Sequence, residues 1–205
     1  PRMDLTQCFM VFEANPGMGG LEETKCFSAK VIGFDVLFAE ADRTSLGIAA
    51  DYVEGLDDET RRRLKALPTN DEIFAERLKA SGRVVLGQNF VVDASVVPKD
   101  RVQSSFSVIG ADPAQFVEIH EHVLRPISIL ATAAAGRGVL SLSQNRIDGV
   151  VREVPMVMKV RNAGELPPNM SPSLLATQGL LPSLPLEMIR VSLKAKTIGI
   201  KTDPI

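Results

Sequence analysis

Three times along the chain a helix-like segment runs into a short apolar run that ends in polar residues. Ser28-Ala29-Lys30 leads into Val31 to Phe38. Ala80-Ser81-Gly82-Arg83 leads into Val84 to Phe90. Ala134-Ala135-Gly136-Arg137-Gly138 leads into Val139 to Asn145. Apolar runs of this length between helices read as buried strands of an α/β sheet, whose carboxyl ends open onto the crevice where ligands bind. The pattern predicts strands over 31–38, 84–90 and 139–145, the first two forming a βαβ unit and therefore parallel.

The polar positions mark the helices. Asp57 to Leu67 is a charged helix that Pro68 stops, and Thr69 with Glu72 forms a capping box for a helix that ends near Ser81, with Gly82 as its cap. Asp112-Pro113 reads as an N-cap and first helical position within the ambiguous stretch 92–123, and Pro126 to Ala135 reads as a helix feeding the third strand. Asp148-Gly149 is a turn into Val150 to Val160, where Val150, Arg152, Val154, Met156, Met158 and Val160 share one face. Pro155 lacks an amide hydrogen, so this segment is expected at an edge. Ser171-Pro172 opens a last short helix ending at Gly179, and 186–200 reads as one or two final strands. Residues 1–28, with Asn15-Pro16-Gly17 and Gly19-Gly20 interrupting two apolar stretches, form an irregular N-terminal helical segment. The expected fold is α/β: a single domain with a mixed, largely parallel sheet flanked by helices and a C-terminal antiparallel hairpin edge.

Composition narrows the function classes. With 205 residues, 45% hydrophobic and 23% charged, the chain can bury one substantial core. A formal charge of −2, no Trp and one Tyr argue against nucleic acid as a partner. The uncharged stretch 166–186 is broken by Pro167, Pro168, Pro172, Pro182 and Pro185, so it does not read as a continuous membrane helix. Starting at Pro1-Arg2 without Met, the chain reads as a fragment of a longer protein. Cys8 and Cys26, the only cysteines, match no zinc or redox spacing; they read either as a disulfide or as two buried thiols.

Candidate chemistry concentrates at the strand ends. Asp35 lies inside the first predicted strand, where a buried carboxylate needs a donor or a cation, and Glu40, Asp42 and Arg43 follow it. The three acids are candidate oxygen ligands for a divalent cation, giving the alternative of a metal-dependent enzyme, but no spaced calcium-loop pattern accompanies them, and the favoured reading is that Asp35 ties strand to loop with Arg43 as partner. Gln88-Asn89 and Gln144-Asn145 end two strands in neutral amides suited to a small polar ligand or to capping loops. His120 and His122, the only histidines, lack a zincin spacing and read better as part of an exposed helix face. No phosphate loop, nucleophile elbow or catalytic Cys/His pair is present, and no cofactor is implied.

Val31-Ile32-Gly33-Phe34-Asp35-Val36-Leu37-Phe38-Ala39-Glu40, followed by Asp42-Arg43, resembles the signature of the type-two CHASE domains, extracellular sensory domains associated with cyclases and histidine kinases. Agreeing features follow in order: Gly82-Arg83-Val84-Val85-Leu86-Gly87, Gly138-Val139 with Asn145, Asp148-Gly149-Val150-Val151-Arg152-Glu153-Val154-Pro155, and Pro172-Ser173-Leu174. The resemblance covers residues 29–205. It implies a noncatalytic, extracytoplasmic (periplasmic or extracellular) input domain of a membrane-anchored receptor that works as a homodimer and responds to a small ligand or an envelope condition. The candidate ligand residues are then Asp35, Glu40, Asp42, Arg43, Gln88, Asn89, Asn145, Asp148 and Arg152.

Overall fold

The computed structural model describes residues 29–93, 106–141, 153–161 and 177–202. Its elements are β1 (Ile32–Phe34), α1 (Leu46–Ala49), α2 (Asp58–Lys65), α3 (Asn70–Ser81), β2 (Val84–Val91), β3 (Phe106–Ile109), β4 (Ile119–His120), β5 (His122–Leu124), α4 (Ser128–Ala133), β6 (Gly136–Val139), β7 (Val157–Val160), β8 (Leu180–Pro182), α5 (Leu184–Ser192) and β9 (Ile198–Lys201). The fold is α/β, as the apolar runs predict.

Local signals explain the helix boundaries. Asp57 caps α2 by accepting from the Thr60 amide. Thr69 and Glu72 exchange the two bonds of a capping box at the start of α3, and Gly82 ends that helix in the left-handed region at φ 60°. Asp112 caps a single 3-10 turn at Pro113–Gln115.

β2 is the centre of the main sheet. β1 and β6 flank it in parallel, with Gly33 opposite Val85 and Val85 opposite Gly136. The last three residues of β2 pair instead with β5, antiparallel. One face, formed by Ile32, Phe34, Val84 and Leu86, packs on Ala75 and Leu78 of α3 and Leu130 of α4. Phe34, Phe38 and Phe74 close this core as an aromatic trio with centroids 5.4–6.0 Å apart. The other face carries the glycines. A Cβ on Gly33 would collide with Met188, on Gly136 with Glu187, and on Gly138 with the backbone of Leu184, all from α5. Missing side chains therefore let α5 lie directly on the sheet.

A second sheet has the order β4-β7-β8, β4 parallel and β8 antiparallel to β7. A parallel bridge from Val139 to Ser183 joins it to the main sheet. Val123, Val139, Met158, Val160 and Leu181 form the core between them, with Phe90 packed against it. β3 and β9 form a separate parallel pair.

Four expectations are corrected. The first strand stops at Phe34 rather than Phe38, because β2 pairs with β1 only through Leu86. The third strand begins at Gly136: glycines that read as a helix-to-strand joint are strand residues facing α5. The strand within 150–160 is central rather than an edge, and Pro155 costs it no ladder bond because the strand begins two residues later. Within 186–200, residues through Ser192 belong to α5, where the Ser183 hydroxyl accepts from the Leu186 amide and Pro185 sits in the first turn; only 198–201 is strand. The expected N-terminal segment 1–28, both cysteines, Gln144, the Asp148-Gly149 turn and the helix start at Ser171 lie outside the described residues.

Candidate functional site

Two groups of predicted site residues occupy different places. The first is the loop between β1 and α1. Asp35 follows the end of β1 and is exposed, which keeps its carboxylate hydrated and removes the need for a buried partner. Glu40 and Arg43 form an exposed ion pair at 2.8 Å. Asp42 is bound on every side: its carboxylate accepts from the Thr44 amide (3.2 Å) and hydroxyl (2.7 Å), from the Ser45 hydroxyl, and from Asn70 Nδ2 (3.0 Å). Its amide donates to Asp71 Oδ2 at 2.8 Å, and buried Ser45 accepts from the Asn70 amide at 2.9 Å. These bonds, led by the Ser45 hydroxyl and then Thr44, hold the Asp42 carboxyl well below its ordinary 3.8.

The outcome is a pin between the loop and the N-terminus of α3. Among the described residues no three His, Cys, Asp or Glu side chains come together to hold a metal ion, so Asp35, Glu40 and Asp42 do not form the cation set weighed above.

The second group sits at the carboxyl end of β2, where its partner changes from β6 to β5. Gln88 is buried at 2% exposure opposite Val139, and its carbonyl accepts from the Leu140 amide. Asn89 Oδ1 accepts from the Ser141 hydroxyl, just past β6, and from the Phe90 amide at 3.0 Å. Asn89 also pairs with Leu124, the last residue of β5, and Arg125 follows directly. Arg125 is 3% exposed, a cation carried into the interior.

Phe90 stacks on His120 with centroids 3.8 Å apart and planes within 10°. His120 Nε2 is buried without a hydrogen-bond partner, and Glu118 Oε2 lies 3.6 Å away. The histidines expected on a helix thus belong to two short strands. The group offers amide, hydroxyl, guanidinium and imidazole functions, the chemistry of recognition rather than of bond cleavage.

Asn145, Asp148 and Arg152 lie outside the described residues. A cavity of about 30 Å³ between β1 and α3, lined by Ile32, Phe34, Phe74, Arg77, Leu78, Ser81 and Val84, has room for about one water and is a packing gap rather than a ligand pocket.

Sequence reasoning passed over Arg125, Glu187 and Arg190. The last two form a bidentate pair (2.6 and 2.8 Å) beneath α5, Arg190 also reaching the carbonyls of Ala135 (3.1 Å) and Ala195 (2.8 Å). Their i,i+3 spacing was the available signal; their burial follows from Gly136, which no helix pattern reveals.

With this geometry in place, the family comparison is decisive: the model of the CHASE2 domain matches residues 21–204. The chain belongs to the CHASE2 family. Domains of this family are extracytoplasmic, noncatalytic sensory domains of signalling receptors. No curated protein and no solved structure matches the chain. Among the described residues no helix is long and apolar enough to cross a membrane.

Proposed function

We propose that this CHASE2 domain is the extracytoplasmic input module of a membrane-anchored receptor with a cyclase, histidine kinase or similar output, and that it responds to a small polar ligand or an envelope condition. The match over residues 21–204 carries this reading. The polar group at the end of β2 supports it, because Gln88, Asn89 and Ser141 meet where two parallel strands end and one changes partner, the position at which α/β sheets receive ligands. Asn145, Asp148 and Arg152 complete the proposed ligand set by sequence. Asp35, Glu40 and Arg43 remain accessible on the β1 loop and are its outer members, whereas Asp42 holds that loop in shape.

The domain itself catalyses nothing in this reading; a ligand acts by favouring one of two arrangements. It works as a homodimer, since two protomers moving relative to one another can pass such a change through a membrane. The full-length parent tests the reading. A reporter fused beside the domain is expected to score outside the cytoplasm, and a parent lacking membrane segments would sink it. For the ligand, a thermal-shift screen of small amino acids and organic acids is expected to yield a compound that stabilises the chain, with the shift reduced in Asn89→Ala.

A further inference from the structure

Between the two sheets lies a contact that no ligand is needed to change. Phe90 belongs to β2 and His120 to β4, and their stacked rings are a direct side-chain link between the main sheet and the β4-β7-β8 sheet. The His120 carbonyl accepts from the Arg161 amide at 2.8 Å, so the imidazole is fixed to the end of β7. Its Nε2 is buried with no hydrogen-bond partner, although the side chain as a whole is 20% exposed. The nearest charge is the Glu118 carboxylate, 3.6 Å from Nε2.

Other charged groups lie on the neighbouring elements, among them buried Arg125, directly after β5. Between β4 and β5, Glu121 pairs with Arg161 at 3.2 Å. On β7, Lys159 lies opposite Ile119 rather than His120, hence on the other face, and reaches Asp112 at 3.8 Å. β2 contributes no ionisable side chain, and Asp93 lies beyond its end. β5 contributes His122, opposite Val91.

We infer that His120 makes the joint between the two sheets proton-responsive, the imidazolium closing onto Glu118 and the Phe90 ring. The inference rests on the sensory reading for its meaning, since it names protons as a stimulus acting on the same strand end. Nε2 makes no hydrogen bond in the interior, and a neutral imidazole has a single N–H to share between its two nitrogens, whereas the charged ring has one on each. Charging the ring puts a donor on Nε2, within a small rotation of the Glu118 carboxylate, and gives the face of Phe90 a cation to attract. Phe90 adjoins Asn89, whose side-chain oxygen takes the Phe90 amide and the Ser141 hydroxyl. Tightening the stack therefore acts on the residues proposed to meet a ligand. Histidine is the side chain that makes such a change between about pH 5 and about pH 8.

Amide hydrogen exchange of this chain tests the joint. After correction for the intrinsic pH dependence of exchange, protection at Phe90, His120 and Arg161 is expected to rise about threefold or more between about pH 7.5 and about pH 5.5. His120→Gln abolishes the rise, Glu118→Gln removes most of it, and His122→Gln preserves it. An unchanged response in His120→Gln, a response lost in His122→Gln instead, or protection that falls on acidification overturns the inference. If His120→Gln does not fold, Glu118→Gln decides: it alters the partially exposed acid without touching the stack, and an undiminished rise there overturns it. The readout is the chain's own backbone, so it stands apart from the topology experiment that decides the sensory reading.

Discussion

Asp42 shows how much one side chain can fix when several donors converge on it. Two hydroxyls, one backbone amide and one carboxamide meet a single exposed-loop carboxylate and fasten residues 42–45 to the first turn of α3. Its pKa is depressed in the folded chain, so the stability it contributes is complete above its ordinary value of 3.8 and is lost progressively as the pH falls below that value. Asp42→Asn is expected to be less stable than wild type at about pH 7, and the difference is expected to shrink by about pH 3, where the unfolded wild type takes up a proton that the folded carboxylate does not. Urea melts at the two pH values check this; a gap independent of pH would show that the charge is irrelevant to the pin. Short-range signals at this scale were legible in sequence: Thr69 with Glu72, and Gly82, take their expected capping roles, and the charged helix expected from Asp57 begins one residue later with Asp57 as its cap. Asp35 was not legible, because whether a strand residue is buried depends on where its neighbouring strand stops pairing. His120 was misread for a related reason: its environment comes from Phe90, thirty positions away in sequence.

Among the elements, α5 carries the clearest consequence of packing. A stretch of apolar residues with Pro185 and Glu187 can read as strand or helix over so short a window, and periodicity alone does not choose. The Ser183 cap and the glycine face of the sheet choose helix, since only a helix places Leu184, Glu187 and Met188 over Gly138, Gly136 and Gly33. Glu187 is thereby carried into the interior, and Arg190 answers it while also holding the carbonyls of Ala135 and Ala195. Arg190→Ala leaves a buried carboxylate alone and is expected to cost about 3–5 kcal/mol in denaturant melts. The double variant Glu187→Leu with Arg190→Met, which removes both charges and keeps apolar volume, is expected to recover much of that loss. A double variant as unstable as Arg190→Ala would mean that the two carbonyl bonds, rather than the stranded charge, set the cost.

At the scale of the molecule, the parallel pair β1 and β2 was readable because each lies in an apolar run beside a helix signal, whereas β6, with the sequence Gly-Arg-Gly-Val, was legible only at Val139. The second sheet was not, because β4 and β8 are two and three residues long and take their register from distant segments. The pair β3 and β9 is the extreme case, joining Phe106–Ile109 to Ile198–Lys201. Two strands alone are marginal in water. Phe106 is the buried anchor of this pair, Ile109 is exposed, and the far end is hooked by Thr202, whose amide and hydroxyl reach the carbonyls of Ile109 (3.0 Å) and Ala111 (2.8 Å). The hook requires Gly110, which turns at φ 105° and lies so close to the Thr202 carbonyl that a Cβ cannot fit. This pair should therefore open on its own, before the main sheet, as low-stability units do. Gly110→Ala breaks the hook twice over, by strain and by collision. Native-state hydrogen exchange of that variant is expected to show lost protection at 198–201 with 84–88 unchanged. Equal loss in both segments would instead make β9 part of the same cooperative unit as β2, so that a disturbance at the last described strand would reach the centre of the sheet directly.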